Sequence, residues 1–509
     1  MAFDLLAALV VTSLLRARLG LRTWKAVHMT AYACWPLAVA HGLGIGGRLD
    51  HRLGPRPHPR LRRGGHRRAA VAGADLVRRL PGAHTMTTAQ DLSHAHRLLA
   101  SWYADGDRDD LAAHRRRHGS LPVLDVAGLA DLVEVAGLRG RGGAGFPTAV
   151  KLRAVAARGV RARRRVPVVV ANGCEGEPAS RKDAVLLHHS PHLVLDGLAA
   201  AADALGADDA ILCVHAGEPG LGDLRAAVAT RDDRVPARVV TVPRRYVASE
   251  ESALVGYLSG RPALPTTTPP RPAERGVAGR PTLVDNVETL AHLALIAHHG
   301  PDWFRRAGTS DLPGTLLVTT GGALRDPGVD EVPGGTTVQA VLELAGGPAE
   351  PVQAILSGGY GGAWLGIDAL ATPLTHEAMR SAGSALGVPT LLALPTRVCG
   401  LGQTAHLLDH LAAESAGQCG PCRFGLPAIA QDLRAIVHGS PGAPDAHARL
   451  RRRLGTVDGR GACAHPDGSV RLVRSALRVF RHDLHDHLRG LPCAGAAAPA
   501  LFPLPGRAR

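Results

Sequence analysis

Between Val166 and Gly217 the chain reads VPVVVANGCEGEP and then HLVLDGLAAAADALGADDAILCVHAG. The first block is a β-branched strand, Val166 to Val170, that runs into a polar loop carrying Asn172, Glu175 and Glu177. The second block supplies a helix and another strand. This alternation, which begins near His94, commits the chain to an α/β architecture. Ligands of open α/β sheets gather beyond the carboxyl ends of the strands, where this loop must lie. Asn172, Glu175 and Glu177 are therefore candidate binding residues.

Upstream, a helical stretch near Leu124 to Ala136 enters GLRGRGGAGFPTAVKL, Gly137 to Leu152. Gly140, Gly142 and Gly145 fit the spacing G-x-G-x-x-G, and Gly143 adds to the loop. Such a loop lets backbone amides approach a phosphate with no side chain intervening. The strand that precedes a dinucleotide fingerprint is not evident, so the motif alone also reads as a tight turn. Further on, ASEESALVGYLSG offers Glu250 and Glu251, and RPTLVDNVETL offers Asp285 and Asn286. Singly, each would pass as a capping or surface acidic segment.

Near the C-terminal end, ESAGQCGPCRFG sets Cys419 and Cys422 one helical turn apart in loop-forming sequence, and Cys463 follows in GRGACAHPDGSVRLVRSAL. The eight cysteines of the chain are otherwise scattered, unlike a secreted disulfide scaffold, so the thiols are available for metal or redox chemistry. Three readings compete: an iron–sulfur cluster, zinc held by three thiolates and His465, and a dithiol switch that needs only Cys419 and Cys422.

The net charge of +15 invites a nucleic-acid reading, but its location argues against one. Before Met86, thirteen arginines and one lysine face three aspartates, which leaves only +4 for the rest of the chain. No nucleic-acid partner is expected. The same segment holds two apolar runs, Ala2 to Leu15 and Ala26 to Leu43, the second marginal against the about 20 residues a membrane span needs. His28 and His41 lie thirteen positions apart in it, roughly 20 Å along a helix. From Gly47 to Arg79 the sequence turns rich in Arg, Pro, Gly and His and reads as a linker. Met86 offers an alternative start.

In this order, RGRGGAGFPT, VPVVVANGCEGEP, ASEESALVGYLSG, VDNVETLA and GQCGPCR resemble the flavin-bearing, NADH-binding subunit of respiratory complex I and its relatives in soluble hydrogenases and formate dehydrogenases. The likeness runs from about Asp125 to Asp486. It implies an α/β FMN-binding domain, a β-grasp domain and an α-helical iron–sulfur bundle, with hydride passing from NADH to FMN and single electrons passing on to a four-iron (4Fe-4S) cluster. The corresponding spans are 91–312, 313–395 and 396–490, preceded by 1–46 and a linker at 47–90 and followed by a tail at 491–509. TLLVTTGGAL, VDEVPGGTTVQAVLELAGG and AILSGGYGGAW fit the β-grasp piece, with a helix capped near Thr336 or Thr337.

On matching positions, the resemblance implies an FMN cradle of Gly140, Gly142, Gly143, Lys151, Asn172, Glu175, Asp285 and Asn286. Phe146 would stack at the nicotinamide, Glu177 would lie beside that ring, and Glu251, next to Glu250, would face the adenosine ribose. Cys419, Cys422 and Cys463 would hold the cluster, with Cys399, Cys493 or Ser415 as candidates for the fourth ligand, because Ala416 stands where the family has its first cysteine. Ala154, Thr268 and Arg271 replace family contacts to NADH, and Cys174 replaces an aspartate. A changed donor, or a binding and assembly module on the same scaffold, is the competing reading. The run WKAVHMTAYACWPLAVAHGLG resembles a haem-bearing helix of the ferric-reductase-like transmembrane family, which would make His28 and His41 haem ligands and the N-terminal segment a membrane anchor on a cytoplasm-facing protein. A ferredoxin, a quinone-linked or haem partner, or another redox subunit would then accept the electrons.

Overall fold

A computed structural model of the chain describes residues 96–161 and 166–505. The apolar N-terminal runs, the linker, Met86 and the haem assignment of His28 and His41 lie outside the described residues. No helix among the described residues is long and apolar enough to cross a membrane.

Two sheets organise the chain. The first contains β1 (Val168–Asn172), β2 (Asp209–His215), β3 (Ala237–Val242) and β4 (Thr282–Asn286), in the order β3-β2-β1-β4 and all parallel. The apolar runs of β1, β2 and β4 are buried on both faces, as the inner strands of a parallel sheet must be, while β3 at the edge is mostly half-buried. Val169 and Ala171 point into one core, while Val168 and Val170 point into the other. The helices Pro191–Leu205 and Val287–His299 cover the first face, and their close crossing depends on Gly197, where a Cβ would fall 1.9 Å from the carbonyl oxygen of Leu290.

The second sheet joins β5 (Thr315–Gly322), β6 (Val329–Pro333), β7 (Val352–Ser357), β8 (Ala363–Gly366) and β9 (Thr390–Pro395) in the order β6-β5-β9-β7-β8. The helix Val338–Leu344 packs against it, and its N-cap is Thr337, whose side chain accepts from the Ala340 amide. SGGYGG forms the connection between the antiparallel strands β7 and β8. The helices Gly400–Ala413, Leu426–Val437, Ala443–Val457 and His465–Val479 complete the chain as a bundle whose core is continuous with one face of the second sheet.

A histidine-rich lock fixes the edge of the first layer. His114 and His298 each place Nε2 2.8 Å from one Asp196 oxygen, and Arg231 donates to the other at 2.6 Å. With three donors already on Asp196, the group is an ion-pair lock rather than a cage for a metal. Burial, then the nearby His114 and His298, holds the His118 ring down at about 3. A histidine kept neutral in the folded state contributes stability that is present above its unfolded value of about 6.5 and is lost as the pH falls below it. His118→Gln is therefore expected to gain relative to the wild type as the pH drops from 6.5 to 4. Urea midpoints of the two proteins at matched pH check this, and a pH-independent difference refutes it.

Candidate functional site

In the first sheet β2 and β3 extend to one side of β1 and β4 lies on the other, so a crevice opens between the carboxyl ends of β1 and β4. Asn172 and Asn286 end these two strands and are paired in register. The Asn286 amide donates to the Asn172 carbonyl at 3.2 Å and to Asp183 at 2.7 Å, while Asn172 donates to the Ser249 carbonyl at 2.9 Å. Above them is a cavity of about 340 Å³ lined by Gly142, Gly143, Glu175, Glu177, Lys182 and Asn286, and also by Cys463. One cavity thus reaches both the glycine loop and a cysteine of the bundle.

The glycine loop joins the helices Val126–Ala136 and Thr148–Arg161, with no strand before it. It is closed by the Gly140 amide donating to the Phe146 carbonyl at 2.9 Å. A Cβ on Gly142 would stand 3.3 Å from the Asn286 Cβ, and Gly143 has φ +104° with its missing Cβ 3.4 Å from the Gly387 carbonyl carbon. Side chains there would fill the cavity mouth. Gly145, at φ +62°, has the His376 ring where a Cβ would be. Phe146 leaves 39% of its surface exposed beside the loop, as a ring available for stacking must.

The carboxylates differ in their engagement. Glu177 accepts from the Tyr360 amide at 2.8 Å and the Tyr246 hydroxyl at 3.2 Å through the same oxygen, and its other oxygen has no protein partner. Burial pushes its carboxyl up to about 7. Glu175 is also pushed up to about 7, by burial and then by Asp183. Glu250 caps the helix Glu251–Leu258 by accepting from the Ser252 and Ala253 amides, and it also lines the cavity. Glu251 lies 3.1 Å from the Lys151 ammonium, which also sits 3.4 Å from Asp285. Burial would lower the Lys151 pKa, but Asp285 and Glu251 outweigh it and raise it. The second oxygen of Asp285 is buried without a partner.

Sequence reading does not single out Lys182, Tyr246 or Tyr360. Lys182 is 1% exposed and its ammonium reaches Asp183 at 2.7 Å, Glu288 at 2.9 Å and Asn286 at 3.0 Å. The available signal is its rarity, since the chain has only three lysines and otherwise uses arginine.

In the bundle, Cys422 lies within a single π-helical turn, Pro421–Gly425, that leads into the helix Leu426–Val437, and Cys419 stands two residues before that turn. Irregular turns of this kind recur at functional sites. Cys463 lies just before the helix His465–Val479. The charges of Cys419 and Cys463 both act on Cys422. Burial, then the charges of Cys419 and Cys463, pushes the Cys422 thiol up to about 12. Burial would also raise Cys419, but hydrogen bonds from the Ala462 and Cys422 amides outweigh it and lower the value. His465, the fourth donor in the zinc reading, is turned away to the Leu411 carbonyl at 2.8 Å. Cys399 and Cys493, the candidates for a fourth cluster ligand, are instead grouped with His487, all ligand atoms lying within 4.8 Å of one another.

Comparison with known proteins accords with this arrangement. Residues 133–295 match the Nuo51 FMN-binding domain, and residues 402–487 match the NADH-ubiquinone oxidoreductase-F iron-sulfur binding region. The F subunit of NADH-quinone oxidoreductase from Salmonella typhimurium is 34% identical over 72% of this chain and 85% of its own length, and its Escherichia coli counterpart gives the same figures. The Streptomyces coelicolor counterpart is 31% identical over 78% of this chain and 92% of its own. Among solved structures, an NAD+-reducing [NiFe]-hydrogenase in the H2-reduced state superposes with TM-score 0.68 at 32% identity, over 78% of this chain and 67% of that one. The strand-end crevice, the glycine loop and the three cysteines of the bundle therefore occur in a chain that belongs to the F-subunit family of NADH-quinone oxidoreductases.

Proposed function

We propose that the chain oxidises NADH at FMN bound in the strand-end crevice and passes electrons to an iron–sulfur cluster held by Cys419, Cys422 and Cys463, within the spans 91–312, 313–395 and 396–490. The observation that carries this is the single cavity lined by both the glycine loop and Cys463. Its volume, about 340 Å³, lies within the range of small-molecule sites. The glycine cradle that any Cβ would fill, and the partnerless oxygen of buried Glu177, fit a ligand pressed against backbone.

Flavin supplies the exchange between a two-electron donor and a one-electron acceptor. The protein's residues do the rest. Gly142 and Gly143 keep the mouth open, while Asn172, Asn286, Lys151 and Asp285 fix the ends of β1 and β4. Phe146 offers a stacking face for the nicotinamide, and Glu177 faces the cavity with Glu175 behind it. Glu251, paired with Lys151, would take the donor's ribose, with Glu250 fixing the start of its helix. The fourth cluster ligand lies outside the three cysteines. A further redox subunit or a ferredoxin takes the electrons.

The test is anaerobic purification with flavin, iron and sulfide counted, followed by NADH titration. Bleaching of the flavin and then a paramagnetic cluster signal is expected; bound flavin that NADH leaves oxidised refutes the donor assignment. Cys422→Ser is expected to lose most of its iron and sulfide while retaining flavin. Unchanged iron in that variant would remove Cys422 from the ligand set.

A further inference from the structure

We propose that Cys399, His487 and Cys493 form a second metal site, for a divalent cation of the zinc class, which clamps the C-terminal tail onto the helical bundle. The three residues come from separate places in the fold. Cys399 is the N-cap of the helix Gly400–Ala413, His487 lies in the last turn of Arg481–Leu488, and Cys493 opens a short 3-10 turn, Ala494–Ala497. Their ligand atoms all lie within 4.8 Å of one another.

The Cys399 sulfur is 3.8 Å from His487 Nε2. Tetrahedral zinc bonds of about 2.3 Å to sulfur and 2.0–2.1 Å to nitrogen set these atoms about 3.5 Å apart, so a shift of a few tenths of an ångström closes the site. His487 Nε2 faces this group from inside the bundle, 3.8 Å from the Cys399 sulfur and 3.3 Å from the Cys493 amide nitrogen, and a bound cation would take its lone pair in place of that amide. Nδ1 is buried without a partner, in a residue with no exposed surface. Two thiolates neutralise a divalent cation, so the occupied site carries no net charge into the interior, where Cys399 is 1% exposed.

The clamp has a structural target. Beyond Cys493 the tail crosses the bundle, where Gln403 donates to the Pro499 carbonyl at 2.9 Å and accepts from the Leu501 amide at 2.8 Å. It reaches Tyr360, whose hydroxyl donates to the Pro503 carbonyl at 2.5 Å and whose amide donates to Glu177 at 2.8 Å. Anchoring Cys493 therefore holds the strap that braces Tyr360 behind the cavity.

The full-length protein, purified with excess EDTA in the final exchange, is analysed for zinc, iron and flavin together. One zinc per chain is expected. It should persist in Cys422→Ser, which separates it from the cluster, and disappear in both His487→Ala and Cys493→Ala while their iron and flavin remain. Cobalt(II) added to metal-depleted protein is expected to give sulfur-to-cobalt charge-transfer and visible d–d bands that Cys493→Ala abolishes. Full flavin and iron with no zinc and no cobalt spectrum overturns the proposal, as does zinc retained in both ligand variants, or an intact mass showing Cys399 and Cys493 joined as a disulfide.

Discussion

Lys182→Met is expected to yield protein with little bound flavin and a stability lower by about 3–5 kcal/mol, the range for breaking a buried ion pair from one side. The ammonium is the shared partner of Asp183, Glu288 and Asn286 in a space that excludes water. Removing it leaves two buried carboxylates facing each other without a cation. Asn286 then loses the contact that orients its amide across the ends of β1 and β4. Because Glu288 also accepts from the Leu317 amide at 3.1 Å, the damage passes into β5 of the second sheet. Urea unfolding and the flavin-to-protein absorbance ratio measure the two effects. Adding Glu288→Gln to Lys182→Met removes one stranded charge and should recover part of the stability. A single variant within about 0.5 kcal/mol of wild type, the ordinary range of a surface change, would show that the lysine is not the keystone of the crevice floor.

What the sequence discloses divides along a physical line. Features built by neighbours in the chain are legible: the β-branched run that becomes β1, the threonine that caps Val338–Leu344, the glycine loop entering a helix without a strand before it, and two cysteines at an irregular turn. The strand lies two residues later than the apolar run suggests, at Val168–Asn172, because pairing with β2 and β4 extends it to Asn172. Features made by distant segments are not legible. Glu250 and Glu251 are adjacent and alike, yet one turns back to cap its helix and the other pairs with a lysine a hundred residues earlier. Cys399 and Cys493 qualify by type as cluster ligands, but the bundle brings them to His487. The tail, set apart by composition alone, is packed against the bundle core through Phe502.

Glu177→Gln is expected to make the protein more stable above pH 7 and a poorer catalyst. The folded carboxyl is raised to about 7 from an ordinary value of 4.5, chiefly by burial. A group raised in this way contributes stability that is fully present below its unfolded value and is lost as the pH rises through its folded one. The shift amounts to an upper bound of about 3 kcal/mol of unfavourable desolvation at pH 8. Glutamine can still accept from the Tyr360 amide and the Tyr246 hydroxyl, and it carries no charge to desolvate. The variant should thus gain on wild type between pH 4.5 and 7 and hold that gain above, a slope opposite in sign to that of His118, so variant-minus-wild-type melting temperatures isolate each. Activity should move the other way. Wild-type Glu177 presents a negative oxygen to the cavity above pH 7, favouring a nicotinamide ring as it becomes positive. Losing that charge should lower kcat/KM for NADH by about tenfold to a hundredfold, 1.4–2.8 kcal/mol, and erase the rise in kcat/KM near pH 7. Stability held below its maximum by a charge the reaction uses is the signature of a working site. A variant equally stable at every pH, with the wild-type pH profile intact, would make Glu177 a packing residue.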